Sequence, residues 1–223
     1  METNYWLSRW KKGMTGFHAT EVNDHLQKYW PALELPRGST VLVPLCGRSL
    51  DLLWLAGQGH YVVGVELSEI ACKRFFEEAE LAYEITNQEN FILYRSGLIE
   101  IWCGDFFKIR PKVFPPLDAV YDRAALVAMP PRLRQPYVQK ISELANRPFK
   151  MLLISYTYPQ ESMSGPPFSV PAHEIELLYG EDCTLSELGS ISVLEKSEKY
   201  RNKGLTGFRE ISYLIKTKYD VIT

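Results

Sequence analysis

The sequence predicts an α/β fold with a mostly parallel sheet of about seven strands, one of them antiparallel near the sheet edge. Three observations support this prediction. Short apolar runs alternate with segments of helical spacing along most of the 223-residue chain. Residues 40–66 form a β-α-β unit of about 30 residues. Two apolar runs near the end of the chain are separated by about ten residues, which is typical of an antiparallel hairpin.

The β-α-β unit is the best-defined part of the chain. Residues 41–45 are an apolar run typical of a strand buried on both faces. Pro44 lacks a hydrogen-bond donor, so we expect it at or just past the strand's last residues. Ser49 is a predicted N-cap for the helix that follows. A second apolar run over 61–65 ends at an acid, Glu66.

The remaining elements follow from the same periodicities. Helices are predicted over 5–11, 23–30, 68–81, 132–145 and 172–179, and sheet strands over 98–102, 117–122, 150–156, 191–197 and 208–216. The run over 91–94 is the predicted first arm of a hairpin that ends in strand 98–102.

Composition limits the class of protein. The length suits one α/β domain over residues 1–223, and the net charge of −2 gives no basic footprint for nucleic acid. The four cysteines are scattered, which predicts reduced, cytosolic thiols, and the four histidines show no metal-ligand spacing. The first residues lack signal-peptide character, and no apolar run has the length of a membrane span. We expect a cytoplasmic monomer that binds neither nucleic acid nor a membrane and holds no metal.

The position of Glu66 indicates a nucleoside site. The acid follows the glycine turn by about 20 residues, where a carboxylate accepts both ribose hydroxyls of a nucleoside lying across the strand ends. The alternative is a solvated residue at a strand end. The turn has a single glycine, Gly47, and a dinucleotide site needs G-x-G-x-x-G. The turn therefore favours a nucleoside without a phosphate, of which S-adenosylmethionine is the common one, over a nicotinamide dinucleotide.

Other candidate residues surround this unit. Trp10 and Phe17 lie in an aromatic arm over residues 1–30, which forms either a lid over a flat ligand or part of the core. Arg123 follows a strand end, where it suits a carboxylate ligand or an ion pair with Asp122 or Asp105. Asp105 itself either contacts an adenine amino group or caps a turn, and the Pro-Pro-Phe168 loop is either a pocket wall or a connector.

Five motifs together resemble the thiopurine S-methyltransferase family, and the likeness is greatest to its bacterial branch. They are WKKGMTGFH at 10–18, VPLCG at 43–47, GHYVVGVELS at 59–68, YDRAALVA at 121–128 and GPPFSVP at 165–171. The resemblance runs from the first tryptophan to the final hairpin. It implies a class I methyltransferase, a Rossmann-like three-layer sandwich, with S-adenosylmethionine at the carboxyl ends of the strands. The cofactor contacts that it implies are Trp10, Leu45, Gly47, Glu66, Gly104, Asp105 and Arg123, and the implied substrate contacts are Phe17 and Phe168.

The resemblance also implies a reaction, which is methyl transfer to the sulfur of an aromatic or heterocyclic thiol. Such a thiol is acidic, so we expect positioning to drive the reaction without a single catalytic residue. Selenium or tellurium oxyanions, another small acceptor, or a cofactor-binding sensor without turnover remain as alternatives.

Overall fold

A computed structural model describes residues 3–16, 18–111, 113–145, 148–196, 200 and 205–218. Its helices are α1 (Thr3–Lys11), α2 (Asp24–Tyr29), α3 (Asp51–Gly57), α4 (Glu69–Glu78), α5 (Pro131–Ala145), α6 (Ala172–Tyr179) and α7 (Val193–Lys196). Its strands are β1 (Thr40–Pro44), β2 (Tyr61–Glu66), β3 (Glu84–Gln88), β4 (Phe91–Ser96), β5 (Ile99–Cys103), β6 (Ala119–Arg123), β7 (Lys150–Thr157), β8 (Cys183–Ser192) and β9 (Arg209–Thr217).

The strands form one mixed sheet in the order β3-β4-β5-β2-β1-β6-β7-β9-β8. The five central strands, β5, β2, β1, β6 and β7, are parallel. β4 and β9 run against the other strands, since β4 is antiparallel to β3 and β5, and β9 to β7 and β8. The predicted seven strands with one antiparallel strand are therefore wrong, because the described sheet has nine strands and two of them are reversed.

The two additional strands are β3 and β4, and β4 is the run over 91–94 that was predicted only as the first arm of a hairpin. β3 was missed because all five of its residues are exposed, so the strand has no apolar face to detect. The strand predicted over 191–197 is wrong in position, because β8 ends at Ser192 and a short helix follows. β8 begins at Cys183 and has only one fully buried residue, so its alternation is weak. The antiparallel pairing of the last two strands is confirmed.

Two hydrophobic cores lie on opposite faces of the sheet and make the fold three-layered. In β1, Leu42 joins the core under α5 and α6, whereas Val41 and Val43 join the core under α2, α3 and α4. Successive strand residues point to opposite faces, so a strand covered on both sides is apolar throughout. This explains why β1 is a continuous apolar run that is buried at every position.

The predicted β-α-β unit is confirmed, with one correction at the start of its helix. Pro44 is the last residue of β1, as expected. The cap prediction for Ser49 is wrong, because Leu50 occupies the N-cap position of α3 and makes no side-chain cap. The Ser49 Oγ instead accepts a hydrogen bond from the Asp51 N–H at 3.3 Å. Among the described residues, no helix is long and apolar enough to cross a membrane.

Candidate active site

A cavity of about 650 Å³ opens at the carboxyl ends of β1, β2 and β6, which lie side by side in the sheet. Tyr5, Trp6, Arg9 and Trp10 of α1 line one side of it. The prediction that ligands bind beyond the carboxyl ends of parallel strands thus matches the position of the cavity. The aromatic arm thus contributes its first helix to the wall of the cavity, and its action as a lid stays a prediction.

Glu66 lies at the floor of the cavity and holds the first turn in place. Its side chain is 6% exposed. The Gly47 N–H donates to Glu66 Oε2 at 2.9 Å, and the Ser68 N–H donates to Oε1 at 2.7 Å. Burial raises the pKa of Glu66, while hydrogen bonds from the backbone of Ser68, Gly47 and Leu67 act to lower it. A carboxylate has about four lone-pair positions, so the three backbone donors leave room for one further donor.

The backbone beside Glu66 is strained where it leaves the strands. Leu45 follows β1 with φ 52°, and Ala124 follows β6 with φ 68°. For residues other than glycine this left-handed conformation costs about 1–2 kcal/mol. Gly47, with φ 58°, has no such cost, and a Cβ there would lie 3.5 Å from Cζ2 of the buried Trp10. Strained backbone of this kind clusters at functional sites, where it shapes the approach to a ligand.

Arg123 brings an unpaired cation into the cavity. Its Nε is buried and has no hydrogen-bond partner among the described residues. Burial acts to lower the pKa of Arg123. Nearby Tyr156, Tyr121, Asp51 and Glu210 act to raise it and have the larger effect, so the pKa lies above its usual value and the guanidinium stays charged. An unsatisfied buried donor on a charged group is costly. The arrangement therefore suits an anionic ligand, and a carboxylate is the natural partner of a guanidinium.

The ion pairs weighed as alternatives for Arg123 are not formed within the described residues. Asp122 points away from it and accepts a hydrogen bond from the Tyr137 hydroxyl at 2.7 Å. Asp105 accepts from the Phe107 N–H at 3.1 Å and so caps a short 3₁₀ turn. The turn-capping alternative for Asp105 is thus the one that the structure shows, and a contact with adenine stays a prediction.

The structure separates the remaining predicted residues into two groups. Trp10, Leu45, Gly47, Glu66 and Arg123 line the cavity together. Gly104, Asp105 and Phe168 do not line it, and Phe17 lies outside the described residues.

Each residue of the second group has a visible structural role. The Gly104 N–H donates to the Glu66 carbonyl at 2.8 Å, and a Cβ at Gly104 would lie 2.4 Å from the Phe91 ring. Asp105 borders a small separate cavity of about 50 Å³. Phe168 packs on Gly165, and Pro166 and Pro167 of the same loop line the main cavity in its place.

Sequence reasoning missed a polar group beneath the cavity. The buried Asp51 accepts from the Tyr121 hydroxyl at 2.9 Å and from the Asn23 N–H at 2.8 Å. It thereby ties α3 to β6 and to the start of α2. An acid in the first turn of a helix usually indicates only a favourable helix dipole, so the pattern alone does not reveal this link.

The chain is similar to known proteins over nearly its whole length. A model of the thiopurine S-methyltransferase (TPMT) family matches residues 1–218. The thiopurine S-methyltransferase of Xanthomonas axonopodis pv. citri (strain 306) is 45% identical over 221 residues, covering 98% of this chain and 100% of the relative. The chain belongs to the thiopurine S-methyltransferase family. A second family member, from Pseudomonas fluorescens (strain Pf0-1), is 42% identical and covers 97% and 99% of the two chains.

Solved structures place this family member in the class I methyltransferase fold. A SAM-dependent methyltransferase from Anabaena variabilis ATCC 29413 superposes with a TM-score of 0.66 at 14% identity, covering 97% of this chain and 95% of that one. A Burkholderia thailandensis 1,6-didemethyltoxoflavin-N1-methyltransferase superposes with a TM-score of 0.61 at 16% identity, covering 96% and 87%. That structure contains 1,6-didemethyltoxoflavin and S-adenosylhomocysteine. At such low identity these similarities establish the fold.

In the described part of the chain, no group of three or more histidine, cysteine, aspartate or glutamate side chains is arranged to hold a metal ion. All four cysteines are buried and free of disulfides.

Asp122 positions the turn that follows Arg123 in this family member. Its Oδ1 accepts from the Ala125 N–H at 3.2 Å and the Leu126 N–H at 3.1 Å, and it is fully buried. Burial raises the pKa of Asp122 to about 6, although hydrogen bonds from Tyr137, Leu126 and Ala125 act to lower it. The residue was considered from sequence only as a partner for Arg123.

This raised pKa predicts a pH-dependent stability. An unfolded aspartate has a pKa of about 3.9, so between about pH 4 and 6 the folded state alone keeps the proton of Asp122. The stabilising contribution is complete below the unfolded pKa and is lost as the pH rises through the folded pKa. Asp122→Asn does not titrate, so wild type should lose about 2 kcal/mol relative to the variant between pH 4 and 6.5. Urea unfolding across this range measures the difference, and a difference that does not change with pH would contradict the assignment.

Proposed function

We propose that the chain transfers a methyl group from S-adenosylmethionine to the sulfur of aromatic or heterocyclic thiols. One observation carries the proposal. The buried Glu66 carboxylate and the Arg123 guanidinium, whose Nε has no partner among the described residues, line the same cavity. A nucleoside that also carries an amino-acid carboxylate needs both groups. Family membership and relatives named thiopurine S-methyltransferase support the same donor and the same class of acceptor.

The residues of the cavity fit this donor in a definite way. The Glu66 carboxylate, which already accepts from the backbone, keeps a lone pair for a ribose hydroxyl. The Arg123 Nε would donate to the methionine carboxylate. Leu45 lines both the main cavity and the small one beside Asp105, so the adenine side of the donor would lie toward Asp105 and Gly104.

The amino-terminal arm would act as a lid. Trp6 and Trp10 line the cavity, and the indole of Trp10 faces Gly47. Methyl transfer joins a cationic donor to an anionic acceptor, and charge disappears in the transition state, so a site without water favours it. We propose that residues 1–30 exclude water in this way and that Phe17, together with the Pro166-Pro167 wall, faces the acceptor.

The chemistry needs little more from the protein than alignment. When bound, S-adenosylmethionine supplies a methyl group on a positively charged sulfur. The acceptor loses its proton to solvent before it reacts, because heteroaromatic thiols are acidic. The thiolate sulfur then forms the new bond to the methyl carbon as the old carbon–sulfur bond breaks, and its electron pair stays on the departing sulfur. Holding the two sulfurs in line is worth about 7–11 kcal/mol at most, so positioning suffices as the main contribution.

A product assay tests the proposal directly. Purified protein is incubated with S-adenosylmethionine labelled in its methyl group and 4-nitrothiophenol, and products are analysed by mass spectrometry. We expect labelled methyl thioether and S-adenosylhomocysteine in equal amounts. Parallel reactions with selenite and tellurite test the other acceptors that the resemblance left open. Binding of S-adenosylmethionine without any methylated thiol would overturn the proposal and favour a sensor.

A further inference from the structure

Arg48 is a further cavity guanidinium to which the proposed function assigns no part of the donor. Arg48 lies in the turn between β1 and α3 and lines the cavity. Its Nη1 forms an ion pair with Glu78 of α4, and its side chain is 18% exposed. Its Nε is buried and has no hydrogen-bond partner among the described residues. One part of the guanidinium is thus held by the fold, while another part has an unsatisfied donor.

His18 lies close to this guanidinium and also lines the cavity. Burial lowers the pKa of His18, and the positive charges of Arg48 and Arg123 lower it further, while Glu78 and Asp51 act to raise it. Both acids already have partners in the protein. Glu78 forms the ion pair with Arg48, and Asp51 accepts hydrogen bonds through both oxygens. Arg48 and His18 therefore lie together in a part of the cavity that a ligand can reach.

The reacting sulfur itself is a poor partner for Arg48. Its negative charge disappears in the transition state, so a tight ion pair would stabilise the ground state more than the transition state. The methionine carboxylate of the donor is assigned to Arg123 in the proposed function. The unsatisfied donor of Arg48 therefore suits an anion other than the thiolate and the methionine carboxylate, and this anion should keep its charge throughout the reaction.

We propose that Arg48, with His18 beside it, binds an anionic substituent of the methyl acceptor, so that the acceptors include aromatic thiols that carry a second acidic group. This inference rests on the proposed function. A carboxylate or an ionised ring nitrogen has the required chemistry, since a guanidinium donates charge-assisted hydrogen bonds to either.

Two acceptors of similar size test the inference. 4-Mercaptobenzoate carries the second negative charge, and 4-methylthiophenol lacks it. The measured quantity is the ratio of kcat/KM for the first thiol to that for the second. Arg48→Met should lower this ratio about tenfold or more, as expected for the loss of one charged hydrogen bond. Arg48→Lys keeps a positive charge but loses the planar guanidinium and its Nε, so the ratio should fall by about threefold or more.

Glu78→Gln is the matched control, because it removes the ion pair that anchors Arg48 to α4 and leaves the guanidinium in place. The ratio should stay within about twofold of wild type in this variant, since Glu78 is about half exposed and its charge is screened by solvent. An unchanged ratio in both Arg48 variants would overturn the inference. An equal fall of the ratio in Glu78→Gln would also overturn the inference, because the effect would then come from the lost ion pair. If wild type methylates 4-methylthiophenol alone, the anion subsite is wrong, whereas if it methylates neither thiol the proposed function fails.

Discussion

Arg123→Met is expected to weaken the binding of S-adenosylhomocysteine by at least about 30-fold, because removing one partner of a buried charge pair costs about 2–5 kcal/mol. The Nε of Arg123 is buried without a partner among the described residues, so its removal leaves no other protein group unsatisfied. The folded protein should therefore lose affinity rather than stability. Isothermal titration calorimetry with S-adenosylhomocysteine measures the first quantity, and thermal unfolding without ligand measures the second.

Arg110→Met is the matched control for this experiment. Arg110 contacts Glu89 at 3.5 Å, and the two side chains are 72% and 71% exposed. An exposed pair of this kind contributes about 0–1 kcal/mol, so neither affinity nor melting temperature should change much. If Arg123→Met binds S-adenosylhomocysteine with the affinity of wild type, the carboxylate of the donor does not lie at Arg123.

Glu66→Ala is expected to raise both the KM for S-adenosylmethionine and the dissociation constant of S-adenosylhomocysteine more than tenfold. A charged hydrogen bond is worth about 1.5–3 kcal/mol, and the ribose would lose its acceptor. The variant should also be less stable by about 1–3 kcal/mol, because the N–H groups of Gly47 and Ser68 lose the carboxylate that they donate to.

Glu66→Gln separates these two effects. Glutamine keeps one acceptor oxygen, so one backbone N–H stays satisfied while the charge that the ribose hydroxyls need is lost. We expect an affinity loss close to that of Glu66→Ala with a smaller loss of stability. Glu77→Ala, which removes an exposed acid from α4, is the control and should change neither quantity. Wild-type affinity in both Glu66 variants would remove this residue from the ribose site.

Much of the fold was predictable because the central strands are buried on both faces. β1 and β2 are nearly continuous apolar runs, and their burial leaves few alternatives for the chain between them. The edges of the sheet were less predictable. β3 is fully exposed and β8 is mostly half-buried, so neither shows a clear alternation of apolar and polar residues. Backbone hydrogen bonds to the neighbouring strands define both of them as strands.

The residues of the candidate site were also predictable only in part. Leu45, Gly47, Glu66 and Arg123 were predicted from motifs at strand ends, and Trp10 from the motif of the amino-terminal arm; all five line one cavity. Phe168 was predicted from the GPPFSVP motif, yet its backbone N–H donates to the Val127 carbonyl at 2.6 Å and the neighbouring prolines line the cavity. A motif identifies the loop, whereas the direction of each side chain depends on what the loop packs against.

The sequence by itself determined the β-α-β unit, the acid after its second strand and the family resemblance, because each depends on residues close together in the chain. Only the tertiary structure decided which charges are unpaired. Asp122 is held by Tyr137, Asp51 by Tyr121, and Arg48 by Glu78, and every one of these contacts joins separate elements. Whether a buried cation has a partner depends on contacts between distant segments. The unsatisfied nitrogens of Arg123 and Arg48 were therefore visible only after folding.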